Sequence, residues 1–233
     1  MKDLVSVCLP NYNRAEHLPV VIDSILNQTY KNLELIIADD GSDDYSSCVL
    51  ERLTDPIIKV IYSDHRGISA TRKTAFENSK GEYIAIVDSD TPMHQDKLQE
   101  SLDHLKRTKA DIVYTGAYAV YDGEVVGTFM PEDINKVIKK PKDILDRKNK
   151  DANQVVPNYT VLAKRKCFEG AYREDFTVND DLWTIYYWVK KGYKFSRLDK
   201  LLMYHISDSK NVSTTQSRLV KKFTEQLRME EKI

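Results

Sequence analysis

The chain predicts an α/β protein with a mixed, mainly parallel central sheet flanked by helices, and three observations carry that reading. Short apolar, β-branched runs alternate with helical patterns through the first half, the rhythm of β-α-β units. Two of those runs end abruptly in acidic clusters, Asp39-Asp40-Gly41-Ser42 and Asp88-Ser89-Asp90. Carboxylates at strand ends fall on the rim where open α/β sheets take ligands. Further on, Asp122-Gly123 separates two strand-like runs, a tight-turn pair that marks a hairpin and makes the sheet mixed.

Each element follows from its residues. Leu4–Leu9 is an apolar run stopped by Pro10 and reads as the first strand. Glu16–Gln28 then places Leu18, Val21, Ile22, Ile25 and Leu26 on one helical face, as a helix packed on a sheet requires. Leu33–Ala38, Ile57–Tyr62 and Tyr83–Val87 are further strands, separated by helical patterns at Asp44–Leu53 and Ser69–Asn78. Gln95–Arg107 turns Leu98, Leu102 and Leu105 inward. Each helix is expected to join neighbouring strands by a right-handed crossover. After Asp111–Thr115 the texture changes, and Ala117–Tyr121 with Glu124–Phe129 reads as the hairpin. Pro131 to Gln154 is rich in Lys, Asp and Asn and predicts an exposed insert, with a short helix near Asp143–Arg147. Asp180–Lys191 is helical in pattern and ends at Gly192, a suitable C-cap residue, before a strand at Tyr193–Leu198. In the tail, Thr215–Glu230, one face carries Leu219, Val220, Phe223 and Leu227. Packing against the domain is its leading reading, with membrane contact or dimerisation second.

Composition narrows the function classes. With 233 residues, the chain suits one domain with an elaborated C-terminal half. Lys and Arg total 35 against 36 Asp and Glu, so no global charge argues for nucleic acid as a partner. Cys8, Cys48 and Cys167 are odd in number and contain no CxxC pair, which points away from a disulfide framework or zinc site and towards a reducing cytoplasm. The first apolar run is too short for a signal-peptide core or membrane span, so a soluble chain is expected. None of the eight glycines stands in a GxG arrangement and there is no GxxxxGK, so neither a nicotinamide-dependent dehydrogenase nor a P-loop NTPase is supported.

The candidate site residues sit at the strand ends. Asp88 and Asp90 are hard oxygen ligands that can hold Mg2+ or Mn2+ and leave positions for diphosphate oxygens; equally, Asp-Ser-Asp before Thr91-Pro92 suits a turn and helix cap. Asp40 can accept the imide N–H of uracil, with Gly41 letting the backbone turn close to a ligand, while Ser42 and Asp43 also suit a helix start. Pro10-Asn11-Tyr12-Asn13-Arg14 offers a rigid turn, an aromatic face and polar groups for a base and ribose. Gly67-Ile68-Ser69-Ala70-Thr71-Arg72 opens a helix whose amides and arginine can face a diphosphate; a solvated arginine is the competing account.

Together these residues resemble the family 2 glycosyltransferases, inverting and nucleotide-sugar dependent, whose fold is the α/β domain called GT-A. The resemblance runs through Val5–Asn13, Ser24–Tyr30, Leu33–Ser42 and Gly81–Asp90, in the family's order. It implies a single domain over residues 1–233: a nucleotide-sugar-binding half at 1–115, an acceptor-binding and catalytic half at 116–214, and a C-terminal helix at 215–233. Carried over by motif, Asp40 contacts uracil, and Asp90 binds the metal, Mn2+ or Mg2+, together with the diphosphate. Asp88 sits towards the ribose and a metal-bound water, with Ser89 between them among the donor contacts, joined by Pro10, Tyr12, Asn13 and Arg72. Counting back from Gly192-Tyr193-Lys194 aligns Asp180-Asp181 with the family's acidic pair and makes Asp181 the catalytic base; a neighbouring carboxylate would raise its pKa, as suits a base. A plain helix cap with Asn179 is the bland alternative. The chain departs from the family's Tyr-Arg-x-His pattern at Tyr204-His205-Ile206-Ser207-Asp208, where His205 is taken as a second metal ligand and Asp208 as its alternative.

The implied reaction moves a sugar from a UDP-sugar to a glycan or lipid-linked acceptor in bacterial polysaccharide or glycan synthesis. Residues Gln154–Ala163 are expected to shape the acceptor surface. The location implied is cytoplasmic, with peripheral contact to the inner membrane face through acceptor or partner. A sugar-nucleotide binding or regulatory module without catalysis is the rival reading, and retention of Asp40, Asp88, Asp90 and Asp181 counts against it.

Overall fold

The computed structural model describes residues 2–145, 156–174 and 180–207. The tail at 215–230, Asn179 and Asp208 lie outside the described residues, as does the end of the insert.

Eight strands form one sheet in the order β3-β2-β1-β4-β7-β5-β6, with β8 also paired to β5. The parallel part comprises β1 (Val5–Asn11), β2 (Leu33–Asp39), β3 (Ile58–Tyr62) and β4 (Tyr83–Ile86). Helices α1 (Leu18–Leu26), α2 (Ser46–Leu50), α3 (Ile68–Glu77) and α4 (Lys97–Thr108) follow these strands in turn. Next come β5 (Ile112–Tyr121), β6 (Glu124–Phe129), the short α5 (Ile134–Val137) and α6 (Lys142–Leu145), β7 (Val161–Lys164), α7 (Asp180–Lys190) and β8 (Phe195–Ile206).

The sequence reading gains three corrections. Not every helix joins neighbouring strands: β1 lies between β2 and β4, so α3 crosses from β3 past two strands to reach β4. Strand β7 was not foreseen. Only four residues long, it was read as part of the acceptor surface, yet it runs antiparallel between β4 and β5, with Ala85 opposite Leu162 and Val113 opposite Leu162 on the other side. Pro10 is not in a turn but buried within β1, opposite Ala38. It is tolerated because pairing to β4 ends at Cys8 and Ile86, so no ladder bond on that edge needs the missing N–H.

Elsewhere the local chemistry explains the element. Asp122 and Gly123 take φ of 50° and 79°, the left-handed pair of a two-residue hairpin turn, and Tyr121 faces Glu124 across it. Helix α1 starts at Leu18 and not at Glu16, because Pro19 fits only the first turn. Its Leu18, Val21, Ile22 and Ile25 are buried, each contributing about 1.5–3 kcal/mol, so Ile25→Asp would break the packing. Apolar clusters cover both faces of the sheet: one gathers β1, β2, α1 and α4 around Leu9, Ile25 and Leu102, the other packs α7 through Trp183, Ile185 and Trp188. Gly81 lets β4 start close against β1; a Cβ there would lie 2.5 Å from Ser6 Oγ. Among the described residues, no helix is long and apolar enough to cross a membrane.

Candidate active site

The C-terminal ends of β1, β2 and β4 share one rim, and side-chain hydrogen bonds fix the loops leaving them. Asn13 exchanges two bonds with Asp43, Nδ2 to Oδ1 at 2.7 Å and the Asp43 amide to Oδ1 at 2.9 Å, and its own amide donates to Ser42 Oγ. Its side chain therefore clips the β1 loop to the β2 loop, supported by the positive φ of 52° that asparagine tolerates. Tyr12 beside it is 43 % exposed, with its ring stacked on that of His65.

Asp40 is almost wholly buried and holds down the loop that opens α3. Its Oδ1 accepts the Arg66 amide at 2.8 Å and its Oδ2 the Gly67 amide at 2.9 Å. His65, which the sequence reading passed over, adds a contact from Nδ1 to Oδ2 at 2.8 Å.

At the end of β4, Thr91 closes the Asp-Ser-Asp turn, its hydroxyl accepting the Asp88 amide at 2.9 Å and donating to the Asp88 carbonyl at 3.0 Å. The segment is therefore a closed turn. Ser89 is buried in this turn. The following residues run against β8: the Ile206 amide donates to the Asp90 carbonyl and the Tyr204 amide to that of Pro92, bringing His205 to Asp90. Arg14 approaches from the β1 loop, 3.9 Å from the Asp90 carboxylate. Burial, then the neighbouring Asp88 carboxylate, pushes the Asp90 carboxyl up, while His205, Arg14 and His17 pull the other way.

Arg72 was expected to face a diphosphate; instead it is buried and bridges two carboxylates, Nη2 to Asp88 at 2.6 Å and Nη1 to Asp181 at 2.7 Å. This ties α7 to the rim from a position 109 residues away in sequence. Asn158 Nδ2 also donates to the same Asp181 oxygen, at 2.8 Å. Oδ1 of Asp181 thus accepts from a guanidinium and an amide.

Asn158 and Tyr159 are the main residues that sequence reasoning missed individually. They lie in a 3-10 turn, Asn158–Thr160, that leads into β7. Because β7 is antiparallel to β4, continuing the pairing of Ala85 with Leu162 past the strand ends sets Tyr159 beside Asp88. Tyr159 stacks on His205 with ring centroids 5.4 Å apart. Burial, then Asp88, Asp181 and Asp90, pushes its hydroxyl up. The fully buried Lys97 anchors this turn, its Nζ 2.6 Å from the Thr160 carbonyl. Burial lowers the Lys97 amine to about 7.

The side chains fit a divalent cation. His205 Nδ1 is buried with no hydrogen-bond partner, beside a carboxylate that burial and a like charge destabilise. Among the described residues no three His, Cys, Asp or Glu side chains are gathered as a metal site. The protein side then offers Asp90 and His205, with the remaining positions left for phosphate oxygens and water, as Mg2+ commonly uses.

The rim is thus an α/β sheet whose acidic strand ends face an acid on a late helix, and comparison with known proteins gives the family. The model of glycosyl transferase family 2 matches residues 6–169, and the chain belongs to that family. It is 31% identical over 140 residues to an Escherichia coli protein, UDP-Glc:alpha-D-GlcNAc-diphosphoundecaprenol beta-1,3-glucosyltransferase WfgD, covering 58% of this chain and 55% of that one. The chain spans between 18% and 55% of the length of four curated relatives. The crystal structure of S. aureus TarS 1-349 in complex with UDP-GlcNAc superposes with a TM-score of 0.71 at 18% identity, over 91% of this chain and 60% of that one. The mannosyltransferase PcManGT from Pyrobaculum calidifontis, in complex with GDP-Man and Mn2+, gives 0.67 at 18% identity, over 97% and 64%. The fold is GT-A.

Proposed function

We propose that this chain is a metal-dependent inverting glycosyltransferase that moves a sugar from a UDP-sugar to an acceptor hydroxyl in bacterial polysaccharide or lipid-linked glycan synthesis. The observation that carries the proposal is the Arg72 bridge, which joins Asp88, just past β4, to Asp181 of α7 on one rim. The activity that names WfgD, with its UDP-glucose donor and undecaprenol-linked acceptor, supports the donor and acceptor classes. The nucleotide-sugar complexes of TarS and PcManGT support the donor and, for the latter, the metal.

In this reading, residues 1–115 bind the donor and the following half supplies acceptor contacts and the base. Tyr12 stacks on the uracil and Asp40 accepts its imide N–H. Asp90 and His205 would hold Mn2+ or Mg2+, which offsets the charge developing on the departing diphosphate. Asp181 takes the proton of the acceptor hydroxyl as that oxygen attacks the anomeric carbon opposite the leaving UDP, so configuration inverts. Asp181 Oδ2 serves for this, since Oδ1 accepts from Arg72 and Asn158. Arg72 positions Asp181 against Asp88, and Arg14 faces the Asp90 end of the site.

The test is a panel of UDP-sugars with Mn2+, read as sugar release or transfer. Asp181→Asn is expected to leave UDP affinity within about threefold while lowering transfer by at least about a hundredfold, and Asp90→Ala to weaken Mn2+-dependent UDP binding. Wild-type transfer by Asp181→Asn would remove the base assignment. UDP binding without turnover of any donor sugar, by hydrolysis or transfer, would favour the binding-module alternative.

A further inference from the structure

We infer that His65 is an internal occupant of the nucleobase position, and that a donor nucleotide binds only by displacing its imidazole. The inference rests on the nucleotide-binding reading above and adds a residue that the sequence motifs did not single out.

The two groups assigned to the base, the Tyr12 ring and the Asp40 carboxylate, stand on different loops, and His65 engages both. Its ring stacks on Tyr12 with centroids 4.1 Å apart and planes 23° from parallel, a contact distance that leaves no room for a third ring between them. Its Nδ1 lies 2.8 Å from Asp40 Oδ2 and 3.2 Å from the Asp40 carbonyl. A carboxylate only accepts, so Nδ1 carries the proton and donates. An aromatic face against Tyr12 and a ring N–H on Asp40 are what a uracil would present to the same two groups.

The backbone holds His65 there. Gly41 has φ of +70°, and a Cβ at that position would lie 2.9 Å from the His65 amide nitrogen, so the absence of a side chain lets the loop close over the rim. Asp40 fixes the next two amides, Arg66 and Gly67. The His65 side chain itself is 54% exposed, so the imidazole can swing into solvent about its own torsions while the backbone stays bonded. With His65 in place the Asp40 side chain is only 3% exposed and its Oδ2 already accepts two donors.

Displacement exchanges one ring stack and one N–H···carboxylate bond for another of each. The histidine therefore lowers the affinity of every nucleotide by the same factor, the fraction of time its ring is out. Selection between bases stays with Asp40: uracil brings an imide N–H, whereas cytosine brings a bare ring nitrogen that meets the carboxylate acceptor to acceptor.

The experiment is calorimetric titration of UDP and CDP, with Mn2+, into the wild-type protein, His65→Ala and His65→Phe. His65→Ala is expected to bind UDP about tenfold more tightly, with CDP strengthened by the same factor and the UDP-to-CDP ratio unchanged. His65→Phe keeps the stack without the hydrogen bond and falls between. The histidine ring proton signals of the wild type, followed by NMR, should lose their aromatic ring-current shift for His65 on UDP addition. Unchanged or weaker UDP binding by His65→Ala, with a wild type that binds, overturns the inference alone, because it makes the histidine a contact or a bystander. Absence of UDP binding by all three proteins overturns both this inference and the nucleotide reading beneath it.

Discussion

Replacing Arg72 by methionine tests the link that brings Asp181 to the rim. The arginine is buried and donates to two carboxylates, at 2.6 Å to Asp88 and 2.7 Å to Asp181. A hydrogen bond to a charged group contributes about 1.5–3 kcal/mol when shielded. The Asp88 side chain is 26% exposed, so that bond keeps about 2 kcal/mol. The Asp181 side chain is 41% exposed, and solvent screening reduces its bond to the surface value of at most about 1 kcal/mol. Methionine retains most of the aliphatic packing, so Arg72→Met is expected to lose about 3 kcal/mol in urea unfolding at pH 7.5 with an unchanged m-value. A double-mutant cycle with Asp88→Asn should return a coupling of about 2 kcal/mol. Arg72→Lys should recover only part of the loss, because one ammonium cannot fork to two carboxylates as the guanidinium does. A loss below about 1 kcal/mol would refute the view that Arg72 bridges the two acids, and no coupling to Asp88 would remove the Asp88 half of that bridge.

Two further predictions concern stability against pH. Lys97, lowered by burial to about 7 from its ordinary 10.5, binds its proton less tightly when folded than unfolded, so stability rises as pH increases between those values, by up to about 1.4 kcal/mol per pH unit; Lys97→Met should lack that rise in urea unfolding between pH 7 and 9, and an identical slope in both proteins would show the amine is not titrating there. Asp111 is pushed up by burial, but hydrogen bonds from Lys166, the Lys194 amide and Lys164 outweigh it and hold the carboxyl at about 2 against an ordinary 3.8. Its stabilisation is present above pH 4 and lost as pH falls towards 2; Asp111→Asn should cost about 2 kcal/mol at neutral pH and flatten the acid limb of thermal unfolding, whereas parallel curves would count against the lysine cluster.

The legible part of this protein is the part written by strand ends. An apolar run that stops at Asp39-Asp40 or Asp88-Ser89-Asp90 reports both burial and the point where burial ends, so β2, β4 and their acids could be read directly. Strand β7 could not, because Val161-Leu162-Ala163 is too short to show a period, and its antiparallel insertion depends on long-range pairing with Tyr83–Ala85 and Ile112–Tyr114. The same ignorance hid Tyr159 and Asn158, since only that pairing sets them beside Asp88 and Asp181.

What sequence withholds above all is the partner of a charged group. Arg72 at the start of α3 looks like a ligand for diphosphate because helix openings favour anions, yet the folded chain supplies its own anions from β4 and α7. The reason is electrostatic: Asp88, Asp90 and Asp181 converge on one rim, and a partly buried set of like charges needs cations within the protein. Arg72 meets two of those acids and Arg14 approaches the third, at 3.9 Å. These internal pairs, two arginines among three acids, explain why the same arginines cannot be assigned to substrate from spacing alone. The Asp88→Asn cycle and a Mn2+ titration address this balance from its two sides, because weakening the internal pair should leave the cation site proposed at Asp90 and His205 able to bind, while Asp90→Ala should weaken it.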